Sequence, residues 1–158
     1  MNQQKYVNAI HEAGHAVIAT VFGVKVNYVF VAQTKSVIKT KAGGGMCWET
    51  PSNKAAWVFG VLAGFAAENV FWGGITEKSL NHSGADLRLI EEFGINLETL
   101  LTEKDGLLSE VENVVKFHID LIKRVADILY TGQTLKGENL KKIVLKYGKE
   151  ESKELIAA

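Results

Sequence analysis

His11 and His15 stand four residues apart, with Glu12 directly after the first, in the string His11-Glu12-Ala13-Gly14-His15. On a helix, residues at that spacing lie one turn apart on one face, so two imidazole nitrogens can grip a single ion. Zinc accepts histidine nitrogens at about 2.0–2.1 Å, and catalytic zinc keeps one position open for water. Water held there has its pKa lowered to about 7, and a neighbouring carboxylate can take its proton and return it to a departing amine. H-E-x-x-H is the spacing that delivers these parts, and amide hydrolysis is the chemistry they would perform.

The same pentapeptide also occurs by chance on ordinary helices, so its surroundings matter. Val7, Ile10, Val17, Ile18 and Val21 give the segment an apolar stripe. Two histidines and a glutamate close to such a stripe are awkward without a metal to satisfy them. Gly14 in mid-helix costs about 1 kcal/mol relative to alanine, which suggests another element packed close by. A catalytic zinc needs a third protein ligand. The longer pattern with a glycine and a third histidine on the same helix is excluded, because Ile18 and Val21 hold those positions. The candidates left are Glu68, His82, Asp86 and His118.

The chain that must position these residues has 158 of them, enough for one domain with a substantial apolar core. Lysine plus arginine and aspartate plus glutamate balance at 18 each, so neither nucleic acid nor an anionic membrane is indicated as partner. Cys47 is alone, which rules out an internal disulfide and suits a reducing compartment. The opening MNQQKYVNAI lacks a basic head and an apolar run, so no secretory signal is expected and the location expected is cytoplasmic.

A first helix is predicted from Lys5 to Phe22, stopped by Gly23. Strands are predicted at Val26 to Val31, at Val37 to Thr40 and, after the hinge Gly43-Gly44-Gly45, at Met46 to Thr50. The glycines also permit close approach by another strand or a ligand. Ala55 to Gly74 is twenty residues with one charge, Glu68, long enough to cross a bilayer. The adjacent Glu68 and Asn69, and the lack of flanking basic clusters, favour a buried helix over a membrane span. Ser52 or Asn53 would cap it.

Thr76 to His82 reads as a polar stretch, and Ser83-Gly84-Ala85-Asp86 as a capping-type helix start. Leu108, Val111, Val115, Ile119, Ile122, Val125 and Leu129 predict one long amphipathic helix over Leu107 to Tyr130. A short last helix is expected at Glu138 to Tyr147. The fold class is thus α+β and mostly helical: the histidine-bearing helix, a small sheet, then a helical bundle. The domain is expected to span 1–148, with a charged tail at 149–158 that frays.

Four motifs, in order, resemble one family. Ala9-Ile10-His11-Glu12-Ala13-Gly14-His15-Ala16-Val17 resembles the zinc helix of the FtsH family of ATP-dependent metalloproteases. Leu62-Ala63-Gly64-Phe65-Ala66-Ala67-Glu68 is similar to its L-x-G-R-A-A-E segment, and Ser83-Gly84-Ala85-Asp86-Leu87 to its T-G-A-x-N-D-L stretch. Leu135-Lys136-Gly137-Glu138 is similar to the L-x-G-E before its closing helix. The resemblance implies a bundle like the FtsH peptidase domain, zinc as cofactor, and Asp86 as third ligand beside His11 and His15, with Glu12 as catalytic base. Asp86 as a plain helix cap, and Glu68 or His82 as ligand in its place, stay open. Glu68, nearly alone in an apolar helix, needs a partner and is expected to bond to a zinc-bound histidine.

His82 is expected on a surface loop flanking the site, His118 as a half-buried packing residue, and Cys47 as a small strand residue. Gly44 to Thr50 resembles the family's active-site edge strand, which could take an extended peptide as a further strand. An ordinary strand with Met46 and Trp48 packed inward is the alternative.

Phe65 stands where the family has arginine, Asn69 where it has glutamate, and Ala85 where it has asparagine, and the loop from Gly73 to Ser83 differs in length. The chain starts ten residues before His11 and holds no G-x-x-x-x-G-K-[ST] loop, so it is not expected to unfold substrates with ATP. The function expected is an ATP-independent zinc metallopeptidase acting on peptides or flexible, unfolded polypeptide. The partners expected besides the peptide substrate are further copies of the chain, as in the family's rings, or a separate protein that delivers substrate. The alternative is a zinc-binding regulatory protein that keeps the fold without turnover.

Overall fold

The computed structural model describes residues 2–31 and 44–157, with side chains as far as residue 148. Helix α1 runs Gln3–Val21 and buries twelve of its residues, including His11, Glu12 and His15. Asn2 caps it, its side chain accepting from the Lys5 amide at 3.1 Å. Gly23 turns the chain out of the helix at φ +78°, a conformation that glycine adopts without penalty.

Strand β1 follows at Val26–Val31, as its β-branched and aromatic run predicts, and β2 at Gly44–Trp48. They pair antiparallel, Val31 opposite Gly44 and Val29 opposite Met46, with an extra residue on β1 between Val26 and Tyr28. A two-residue strand β3, Leu135–Lys136, pairs with the other side of β1, giving the antiparallel order β2-β1-β3. The observed β2 starts two residues before the predicted Met46, because Gly44 and Gly45 continue the ladder opposite Val31 and Phe30. The strand predicted at Val37 to Thr40, and Gly43 of the hinge, lie outside the described residues.

Helix α2, Lys54–Trp72, is capped by Asn53 and ended by Gly73 at φ +82°. Its length and composition would suit a bilayer crossing, yet two thirds of its apolar window is buried inside the protein. It packs along α1 at a close crossing. A Cβ on Gly14 would lie 2.7 Å from the Ala63 carbonyl oxygen and 2.8 Å from the Ala67 Cβ, so glycine is what lets the helices meet.

The polar stretch after α2 is a helix, α3, Glu77–His82, started by a reciprocal capping box between Thr76 and Ser79. Helices α4 (Gly84–Glu92) and α5 (Leu97–Thr102) follow. The predicted long helix is two, α6 (Leu107–Phe117) and α7 (Ile119–Tyr130), broken at half-buried His118. Helix α8 runs Gly137–Ala157, through the segment expected to be a tail. The core lies between α1, α2, α6, α7 and the inner face of β1, with Ile10, Ile18, Leu62, Phe65, Val111, Ile122 and Leu129 all fully enclosed. The architecture is α+β and mostly helical, as the sequence predicts.

Candidate metal centre

His11, Glu12 and His15 project from the buried middle of α1, where α2 passes over them. Gly64 on α2 makes this possible: a Cβ there would stand 2.7 Å from His11 Nε2 and would press on His15 Nε2. Two further α2 groups orient the rings. The Gly60 carbonyl oxygen lies 2.7 Å from His15 Nδ1, and Glu68 Oε2 lies 3.1 Å from His11 Nδ1.

These contacts decide which ring nitrogens carry protons. A carbonyl oxygen only accepts, so His15 donates through Nδ1–H to Gly60. Burial pushes the Glu68 carboxyl up, but bonds from His11 and His82 outweigh it and hold the group below the usual carboxylate range. Glu68 is therefore an ionised acceptor, and His11 donates Nδ1–H to it. In a neutral ring so arranged, Nε2 presents a bare lone pair.

Both Nε2 atoms face the same point. They lie 3.0 Å apart, and Asp86 Oδ2 lies 3.1 Å from each. With both rings neutral, three acceptors converge with no donor among them, an arrangement that requires a cation or added protons. Ligands at about 2.0–2.1 Å around a tetrahedral zinc sit roughly 3.3 Å apart, close to the sides of this triangle. The N, N, O donor set is one that zinc uses, and His11, His15 and Asp86 together could hold a metal ion.

The electrostatics point the same way. Burial alone would lower the His11 pKa, but the hydrogen bonds to Asp86 and Glu68 and the field of Glu12 raise it to about 10. His15 is likewise lowered by burial and raised overall, chiefly by Asp86. Burial pushes Asp86 up, and the two imidazoles more than reverse this, holding it far below the ordinary carboxylate range. The field that would keep a proton on the imidazoles is the field that would draw a divalent cation.

The triangle lies in the wall of a cleft of about 590 Å³. Glu12 lines it beside the two histidines, with its Cγ against the backbone of β2 at Gly44, where a Cβ would approach to 2.9 Å. Met46, Trp48, Trp57, Val61 and Leu89 form an apolar wall. A second hollow, of about 520 Å³, lies between the end of α1 and the start of α8 and contains none of these groups.

No family model and no curated protein matches this chain.

Each residue named from sequence has a definite place. His11, His15 and Asp86 come together, with Glu12 in the same cleft. Glu68 bonds to His11 and lies on the far side of that ring from the triangle. Ser83 heads α4, but makes no side-chain cap; its hydroxyl donates to Glu68 Oε2 at 3.2 Å, and Asp86 turns to the histidines. His82, expected on a surface loop, ends α3 with Nδ1 2.7 Å from Glu68 Oε1. His118 and Cys47 lie outside the cleft lining, and Cys47 receives a weak 3.6 Å contact from Asn27. Gly60 escaped the sequence reading, and Gly64 entered it only as the glycine of the L-x-G match, with no role given. Their spacing of four on an apolar helix marks a bare stripe, a signal that could have exposed both.

Proposed function

We propose that this protein is a zinc metallopeptidase, with His11, His15 and Asp86 as metal ligands and Glu12 as the catalytic base. The observation that carries this reading is the convergence of His11 Nε2, His15 Nε2 and Asp86 Oδ2, with sides of 3.0–3.1 Å, in a cleft that Glu12 also lines. Zinc bound there would polarise a scissile carbonyl and lower the pKa of the attacking water.

The chain's own residues supply the rest. Gly60 and Glu68 fix the two imidazoles through their Nδ1–H bonds, so little reorganisation is needed on loading. Glu12, which lines the same cleft, would take the proton of the attacking water and pass it to the nitrogen of the broken amide. Among the described residues β2 pairs only with β1, and an extended peptide would add as a further strand along its other edge. The four ordered motifs support kinship with FtsH-type peptidase domains. Lacking a phosphate-binding loop, the chain would act without ATP, on peptides or flexible and unfolded polypeptide. The lone cysteine fits a cytoplasmic setting.

The test is cleavage of an unfolded protein substrate by zinc-loaded wild type and by Glu12→Gln. The reading predicts cleavage that falls about 100- to 10,000-fold in the variant while zinc content is unchanged. Equal cleavage by both would remove Glu12 from the mechanism. A zinc-loaded wild type with no activity would leave a metal-binding protein without turnover.

A further inference from the structure

Glu68 is 1% exposed, yet three groups bond to its carboxylate. Oε2 accepts from His11 Nδ1 at 3.1 Å and from Ser83 Oγ at 3.2 Å, while Oε1 accepts from His82 Nδ1 at 2.7 Å. The His82 contact is the shortest. Its ring also lies against His11, with centroids 4.4 Å apart and planes at 51°. The two histidine rings therefore touch at a tilt and share one buried carboxylate.

Glutamate has two methylenes and can rotate its carboxylate; Ser83 steadies Oε2 with a bond of 3.2 Å, and the shorter bond, 2.7 Å, is the one on the other oxygen. His82 holds it, from the end of α3, four residues before Asp86 closes on the opposite side of His11. We propose that His82 is a positioning residue of the metal centre: by anchoring Glu68 Oε1 it fixes the proton on His11 Nδ1 and aims Nε2 at the metal. This rests on the metal-centre reading above. The role differs from ordinary packing, because a residue that merely fills space would act through its ring shape and not through its N–H.

The test is zinc affinity of the full chain by competition with a chromophoric chelator, for wild type, His82→Phe, His82→Asn, Glu68→Gln and the double variant His82→Phe with Glu68→Gln. Phenylalanine keeps a ring against His11 but loses the donor; asparagine keeps a donor near the place of Nδ1. Partners of zinc-bound histidines typically shift affinity 10- to 100-fold, and His82 acts one link further out, so His82→Phe should weaken zinc about tenfold. His82→Asn should recover most of that loss. His82→Phe should add little once Glu68→Gln is present, because its effect passes through Glu68. The visible spectrum of the cobalt-loaded protein should change in His82→Phe and return toward wild type in His82→Asn.

Wild-type affinity in His82→Phe, equal losses in the phenylalanine and asparagine variants, or fully additive losses in the double variant would each overturn the proposal while leaving the metal centre standing. A wild type that binds no zinc would overturn both.

Discussion

His15 gives its Nδ1 proton to the carbonyl oxygen of Gly60 at 2.7 Å, and this bond decides which nitrogen of the ring faces Asp86. A backbone carbonyl on a buried helix cannot flip, so the Nε2 lone pair is fixed as firmly as α2 itself. His11 is set in the same way by Glu68, eight residues further along α2. The helix that could be mistaken for a membrane span is thus the one that orients both imidazoles.

Gly64→Ala tests that dependence. The new Cβ would stand 2.7 Å from His11 Nε2 and 2.8 Å from its Cδ2, and both rings would have to move. Zinc binding should weaken by about 10- to 100-fold, the usual effect of losing a ligand's orientation. Thermal unfolding in chelator should show a smaller cost, about 1–3 kcal/mol, from overpacking. Measured zinc affinity equal to wild type would mean that the rings are not held where the structure puts them.

Gly14→Ala should destabilise the fold. Alanine gains about 1 kcal/mol of helix propensity over glycine. Here, however, its Cβ would sit 2.7 Å from the Ala63 carbonyl oxygen, and backbone cannot swing aside as a side-chain end can. Overpacking of about 1–3 kcal/mol should outweigh the gain, read as a lower urea midpoint with an unchanged slope.

Much of this was legible in the sequence, for local reasons. The spacing of His11 and His15 is a property of one helix turn, and the β-branched run of β1 and the apolar periods of α1 and α2 are equally local. The break at His118 was hidden because no glycine or proline marks it and the apolar stripe continues across it, from Val115 to Ile122. Helix α3 was hidden because Thr76 to His82 is polar and only its capping box betrays it. Ser83 and Asp86 looked like a cap, since that chemistry needs only near neighbours, yet both reach partners on α1 or α2. The Gly60 carbonyl is backbone, and no side-chain pattern announces it.

Protons and zinc compete for the same site, which sets two opposite pH trends. His11 is raised from about 6.5 to about 10 when the protein folds, so in chelator its protonated form stabilises the fold fully below pH about 6.5. That contribution should fade as pH rises through about 10. Zinc must displace the proton, so the affinity of the folded protein should instead rise with pH, about tenfold per unit for each proton released, until His11 has lost its proton at about pH 10. Melting temperatures with chelator and with zinc, compared across that range, check both signs. A zinc affinity independent of pH would show that the histidines carry no proton to lose.

The most direct measurement is the metal content of purified protein by mass spectrometry, for wild type and Asp86→Ala, after reconstitution with zinc. The account predicts about one zinc per chain in the wild type, lost or much weakened once Asp86 Oδ2 is removed from its place 3.1 Å from both histidines. Full zinc in Asp86→Ala would move the third ligand elsewhere, and no zinc in the wild type would contradict the metal centre itself.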